Sequence, residues 1–90
     1  MSCVYRRQGT VDETRVGRRT VLYQTEQRRA LVLNPAGSAL WPQTAEGADL
    51  EQLTRALMQR YPSLTEQQAS DDTRAFLKQM VAQGLLAAIG

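Results

Sequence analysis

Arg29-Ala30-Leu31-Val32-Leu33-Asn34-Pro35-Ala36-Gly37, followed by Ser38-Ala39-Leu40-Trp41, decides how this chain is organised. Arg29–Leu33 reads as a strand, with Leu31 and Leu33 facing one side and Ala30 and Val32 the other. Asn34 can cap a helix, and the fixed φ and missing N–H of Pro35 suit the first helical position. The stretch therefore predicts a strand that feeds directly into a helix, which leaves a strand edge beside a helical surface.

Upstream, Thr10–Val16 and Arg19–Tyr23 are rich in β-favouring residues and flank Gly17-Arg18, a hairpin turn. Gln24–Arg28 is a polar connection to the third strand. Downstream, a short helix from Pro35 to Trp41 is expected to end before Pro42, with Gln43–Ala48 as a loop. Asp49-Leu50-Glu51-Gln52 is a capping-box pattern that opens a second helix, whose Leu50, Leu53, Leu57, Met58 and Tyr61 form one stripe before Pro62. Thr65-Glu66-Gln67-Gln68 repeats the pattern for a third helix. That helix places Ala69, Thr73, Phe76, Leu77, Met80 and Val81 on one face and ends at Gly84, after which Leu85 and Leu86 fold back onto the core. The predicted fold is α+β and winged helix-turn-helix-like: a three-stranded antiparallel sheet followed by three helices, the wing at the N-terminus. Residues 1–9 are expected as a flexible arm and residues 10–90 as a single domain.

Ninety residues, 42% hydrophobic and 22% charged, build one small core and leave little room for a deep catalytic pocket. The net charge of +2 is unevenly spread. Residues 1–29 carry seven arginines against three carboxylates, a net of +4, whereas residues 30–90 carry four cations against six carboxylates, a net of −2. A basic strand half keeps an exposed sheet soluble and discourages edge pairing; it also suits an acidic peptide. Catalysis finds no footing: the chain has no histidine, one cysteine (Cys3) and no Gly-rich phosphate loop. Asp71 and Asp72 are neighbours that point apart on a helix. No cofactor and no metal are expected. Without a secretory apolar segment or a bilayer-length run, the expected location is cytoplasmic.

From Tyr23 to Leu86 the sequence resembles the PqqD family, the small peptide-binding domains also called RiPP recognition elements. The resemblance rests on Leu33-Asn34-Pro35 through Trp41, on Leu50, Leu53, Leu57 and Tyr61, and on Asp72-Thr73-x-x-Phe76-Leu77-x-x-Met80-x-x-x-Gly84-Leu85-Leu86. Leu33-Asn34-Pro35-Ala36-Gly37 is more similar to the stand-alone leader-binding proteins of lasso-peptide clusters than to members serving pyrroloquinoline quinone (PQQ) biosynthesis. Those members carry a Pro-Glu turn before the third strand and a Cys-Asp-Gly segment after the first helix, where this chain has Thr25-Glu26-Gln27 and Ala45-Glu46-Gly47. Thr73 stands where the family more often has an aliphatic residue.

The resemblance implies a non-catalytic peptide chaperone. A precursor's leader would add as an antiparallel strand to the third-strand edge, Arg28, Arg29, Ala30, Leu31, Val32 and Leu33, whose unpaired backbone groups give affinity while side-chain pockets give choice. Its apolar side chains would settle in a groove between Ala30 and Val32 and one flank of the third helix: Asp72, Ala75, Phe76, Gln79, Met80 and Gln83. Ala75 is small enough to leave a hollow, Asp72 can pair with a basic leader residue, and Arg28 and Arg29 can steer an acidic one. Phe76, Leu77 and Met80 are also core candidates, and Trp41 reads as a core anchor with its indole N–H near the surface. The partners implied are a leader peptidase of a lasso pathway, or a radical SAM enzyme in the PQQ alternative.

A winged-helix DNA-binding regulator is the reading from another class. Glu66, Asp71 and Asp72 against Arg74 and Lys78 on the third helix suit phosphates badly, so neither nucleic acid nor membrane is expected as partner. Strand exchange through Gln24–Arg28 is a route to a homodimer.

Overall fold

The computed structural model describes residues 3–89. In chain order the elements are β1 (Val4–Arg7), β2 (Val11–Val16), β3 (Arg19–Gln24), β4 (Arg29–Val32), α1 (Pro35–Leu40), a 3-10 turn (Trp41–Thr44), β5 (Ala48–Asp49), α2 (Leu50–Arg60), α3 (Glu66–Ala82) and β6 (Leu86–Ile89). Gly17 has φ 64°, the left-handed backbone that a two-residue hairpin turn needs in its first position. It joins β2 to β3, and β4 completes an antiparallel sheet in the order β2-β3-β4. This is the expected three-stranded sheet, and three helices follow it.

Each helix starts where its capping chemistry allows. Asn34 Oδ1 accepts from the Gly37 N–H at 2.7 Å, with Pro35 in the first turn. Asp49 and Gln52 form a reciprocal capping box, and so do Thr65 and Gln68. At the far end of α3, Gly84 turns left-handed (φ 74°), and the Leu85 N–H donates back to the Met80 carbonyl at 2.8 Å. This Schellman closure reverses the chain and drops Leu85 and Leu86 into the core. The core itself is Leu22 and Leu33 from the sheet, Leu40 and Trp41, Leu53 and Leu57 from α2, and Ala69, Phe76, Leu77 and Met80 from α3.

Two expectations need correcting. Within the expected arm, residues 1 and 2 lie outside the described part, but Val4–Arg7 form the middle strand of a second sheet, β5-β1-β6. Tyr5 pairs with Ala48 on one side and Ala88 on the other. Those partners lie far along the chain, so no hairpin signal announced them. Gly47 belongs to the same arrangement: at φ 90° a Cβ there would come within 3.2 Å of the Val4 side chain.

α1 ends before Pro42 as expected, but a 3-10 turn follows it directly where a loop was expected. Proline has no N–H to lose at the start of a new turn, so it sits in the first turn of the 3-10 segment. The supposed loop Gln43–Ala48 thus contains the end of that turn and the start of β5.

Trp41 locks the two sheets together. It is 1% exposed, and its indole N–H donates to Glu13 Oε1 at 2.7 Å. The Arg7 guanidinium lies 4.1 Å from the indole centroid, donates to the Trp41 carbonyl at 2.7 Å and pairs with Glu13 at 3.4 Å. One charge from β1 and one from β2 thus meet over a single buried ring.

Candidate peptide-binding edge and groove

β4 bonds to β3 and to no other strand among the described residues, so one side of its backbone is open. The phase of that backbone follows from one hydrogen bond: the Leu33 N–H donates to the Thr20 carbonyl at 2.9 Å. Antiparallel pairs alternate between bonded and non-bonded positions, so with Val21 opposite Val32 and Leu22 opposite Leu31, Leu31 turns its backbone groups toward β3. Ala30 and Val32 turn theirs outward. Four backbone groups, two N–H and two C=O, therefore face the open edge.

The other half of the Thr20–Leu33 pair is made through a side chain. Ser38 Oγ accepts from the Thr20 N–H at 2.9 Å and donates to the Leu33 carbonyl at 3.4 Å. A residue of α1 thereby takes the place of a strand-to-strand bond, and the sheet opens into the helix at this point. The Asn34-Pro35 junction is built around that substitution.

Two contacts place α3 relative to β4. Phe76 Cδ1 and Leu33 Cβ each lie 3.4 Å from where a Cβ on Gly37 would stand. At the other end, the Gln24 side-chain amide donates to the Gln83 carbonyl at 2.7 Å, and Gln24 is the strand partner of Arg29. α3 therefore runs antiparallel to β4 beneath the sheet, with Phe76 near Leu33 and Gln83 near Arg29. Gly37 keeps the approach of Phe76 close.

The residues expected at the site differ in burial and place. Asp72, Ala75 and Gln79 are exposed and Gln83 is half-buried, so they offer side chains on α3. Phe76 is 5% exposed and sits at the boundary between core and surface. Met80 and Leu33, expected to line the site, are instead buried at 0% and 2%: they support it from below. Arg28 falls in the turn before β4, in the left-handed region at φ 54°, rather than in the strand.

A further correction concerns Ala30 and Val32. Their side chains lie on the sheet face away from the helices, with half-buried Val21 and exposed Tyr23 across from them. Strand alternation makes this unavoidable once Leu31 and Leu33 face the core side. Ala30 and Val32 thus contribute backbone to the edge, while Leu31 is the half-buried β4 side chain on the α3 side. The role of Ser38 was not foreseen, and the only sequence signal for it is a small hydroxyl residue four positions after the cap.

Charge is polarised along this surface. Arg28 and Arg29 stand at the start of β4, near Gln83, and Asp72 stands one turn before Phe76, toward the Leu33 end. Among the described residues no three His, Cys, Asp or Glu side chains cluster as metal ligands, and no helix is long and apolar enough to cross a membrane.

Known proteins share this architecture. The family described as coenzyme PQQ synthesis protein D (PqqD) matches residues 19–86. A solved structure of TbiB1 in complex with the TbiA(beta) leader peptide superposes with a TM-score of 0.78 at 23% identity, covering 90% of this chain and 93% of that one. The fold is shared. No curated protein matches the chain.

Proposed function

The chain belongs to the PqqD family, and from that premise we propose that it is a non-catalytic cytoplasmic carrier for the leader of a ribosomally made precursor peptide. The leader adds as an antiparallel strand to β4 and lays one row of side chains against the α3 flank at Ala75, Phe76 and Gln79. The observation that carries this reading is the phase of β4: the N–H and C=O groups of Ala30 and Val32 face open space directly beside that flank. Backbone pairing of this kind binds an extended chain of almost any sequence, and the groove supplies the selection. The TbiB1 structure, a complex of a similar fold with a leader peptide, supports a leader as the ligand.

Polarity follows from geometry. A strand antiparallel to β4 runs from the Leu33 end toward the Arg29 end, so its first residues pass Asp72 and its last pass Arg28 and Arg29. A basic residue early in the paired stretch and an acidic one late complement these charges. The carrier supplies no bond-making groups of its own; it raises the local concentration of precursor at the enzyme that processes it. Leu33-Asn34-Pro35-Ala36-Gly37 favours a lasso-type leader peptidase as that enzyme. A radical SAM enzyme of PQQ biosynthesis is the second reading, favoured by the description of the matched family.

The test is titration of the protein into fluorescently labelled synthetic leaders of ribosomally made precursor peptides from its own source. Saturable one-to-one binding, insensitive to competing duplex DNA, is expected. Absence of leader binding, together with steeply salt-dependent binding to arbitrary duplexes, contradicts the proposal and favours a nucleic-acid regulator.

A further inference from the structure

On the β2 side of the sheet, the end at the Gly17 turn overhangs a basic cleft. Two adjoining cavities of about 250 Å³ and about 550 Å³ share Arg15, Arg18, Pro35, Arg60 and Tyr61 in their walls. Three arginines from two distant segments, the β2–β3 hairpin and the last turn of α2, thus border one space. Among the described residues none of the three forms an ion pair; the ion pairs there are Arg7–Glu13 and Arg55–Glu51.

Arg15 is the telling residue. Register puts it opposite Thr20, on the helix-facing side of β2 together with Val11 and Glu13. Val11 packs on the core, and Glu13 is held by Trp41 and Arg7. Arg15 alone on that side has no such partner, and it faces the cleft. A solubilising arginine would be expected on the opposite, solvent-facing side of the sheet. Arg60 is partly fixed, its guanidinium 5.2 Å from the Tyr61 ring centroid. Like charges gathered at one concavity repel until an anion enters, and planar guanidinium forks match carboxylates in paired hydrogen bonds.

We propose that the Arg15–Arg18–Arg60 cleft docks a carboxylate-rich segment of a second protein, namely the enzyme that processes the carried peptide. The identity of that partner as the processing enzyme rests on the function proposed above; the chemistry of the cleft does not. The cleft lies under the β2–β3 hairpin, at the end of the sheet where β4 reaches Leu33, but its walls share no residue with the α3 flank, so both sites can be filled at once. An acidic protein segment is favoured over nucleic acid because the three guanidinium groups border one concavity rather than forming an extended basic stripe, and residues 30–90 carry a net charge of −2.

The test follows the side-chain Nε–Hε NMR signals of the arginines while an acetylated, amidated pentaglutamate is titrated in at about 20 mM salt, where surface charges act at longer range than at physiological strength. Outside Arg28 and Arg29, which belong to the leader edge, saturable shifts confined to Arg15, Arg18 and Arg60 are expected. Each Arg→Gln change there should weaken binding about two- to fivefold, the range of an exposed ion pair, and the triple change should remove it. Arg55→Gln and Arg74→Gln, which border neither this cleft nor the β4 edge, should leave it unaltered. Shifts spread over all the arginines, or equal losses in these control variants, overturn the site. A 12-base-pair duplex that displaces pentaglutamate at lower charge concentration makes the cleft a phosphate site and overturns the assignment to protein.

The triple Arg→Gln variant is also titrated with the labelled leader. Unchanged leader affinity supports a separate docking site, whereas a parallel loss merges the cleft with the leader site and overturns it. If wild-type protein fails to bind leader while pentaglutamate still binds the cleft, the proposed function fails and the cleft stands.

Discussion

Proline at Val32 tests the edge geometry because the structure predicts opposite outcomes for folding and for binding. The Val32 N–H points away from β3, so Val32→Pro breaks no bond of the sheet, and an edge strand tolerates proline where its N–H faces solvent. The variant should stay folded, with a circular-dichroism spectrum like that of the wild type and a melting temperature within a few degrees. A paired leader uses four β4 backbone groups, each worth about 0.5–1.5 kcal/mol net. Proline removes one of them, and its ring occupies the space where the leader carbonyl would approach. A loss of about 1.5–3 kcal/mol is expected, or roughly 10- to 150-fold in Kd at 1.4 kcal/mol per decade. Fluorescence anisotropy with the labelled leader measures it, with Gln59→Lys on the exposed face of α2 as the control. Unchanged affinity in folded Val32→Pro refutes the edge model, and so does an equal loss in Gln59→Lys.

Three other substitutions probe the groove and the core. Ala75→Trp places a bulky ring at an exposed position of α3 within the proposed groove and should lower leader affinity at least tenfold with little change in melting temperature; retained affinity removes Ala75 from the groove. Thr73 is completely buried, and its hydroxyl has no hydrogen-bond partner. Thr73→Val replaces it with a methyl of similar size and should stabilise the protein by about 1 kcal/mol, a rise of roughly 4–8 °C in Tm for a domain of this size; a fall in Tm contradicts it. Arg7→Met keeps an aliphatic stem against Trp41 but loses the charge-assisted bonds to Glu13, Thr44 Oγ1 and the Trp41 carbonyl. A loss of about 1.5–3 kcal/mol in urea unfolding is expected, and a neutral result means that β1 is held by its strand pairing alone.

The features that were legible in the sequence are those written in short-range chemistry. Asn34-Pro35, Asp49…Gln52, Thr65…Gln68 and Gly84 each mark a boundary within four residues of themselves, and each acts in the structure as its side chain or backbone freedom dictates. The wing was legible for the same reason, since Gly17 and the strands beside it are contiguous. β1, β5 and β6 were not. Their pairing spans almost the whole chain, and Ala87 and Ala88 carry no strand preference.

At the site, alternation along Arg29–Leu33 showed which side chains share a face but not which face meets α3. That choice depends on the phase of the Leu33–Thr20 bond and on Ser38 entering the sheet. Met80 could not be separated from the surface residues by spacing, because one helix flank grades from core to groove within a single turn. The convergence of Arg15, Arg18 and Arg60 was hidden because their proximity is created by the packing of the wing over α1 and α2.

Amide hydrogen exchange at β4, measured by NMR with and without the leader, tests the central claim most directly. Ala30 and Val32 expose their N–H groups in the free protein, whereas Leu31 already bonds β3. Strand addition predicts that the leader slows exchange at Ala30 and Val32 far more than at Leu31. Unchanged exchange at Ala30 and Val32 on saturation with leader, with protection appearing on α2 instead, would contradict the account.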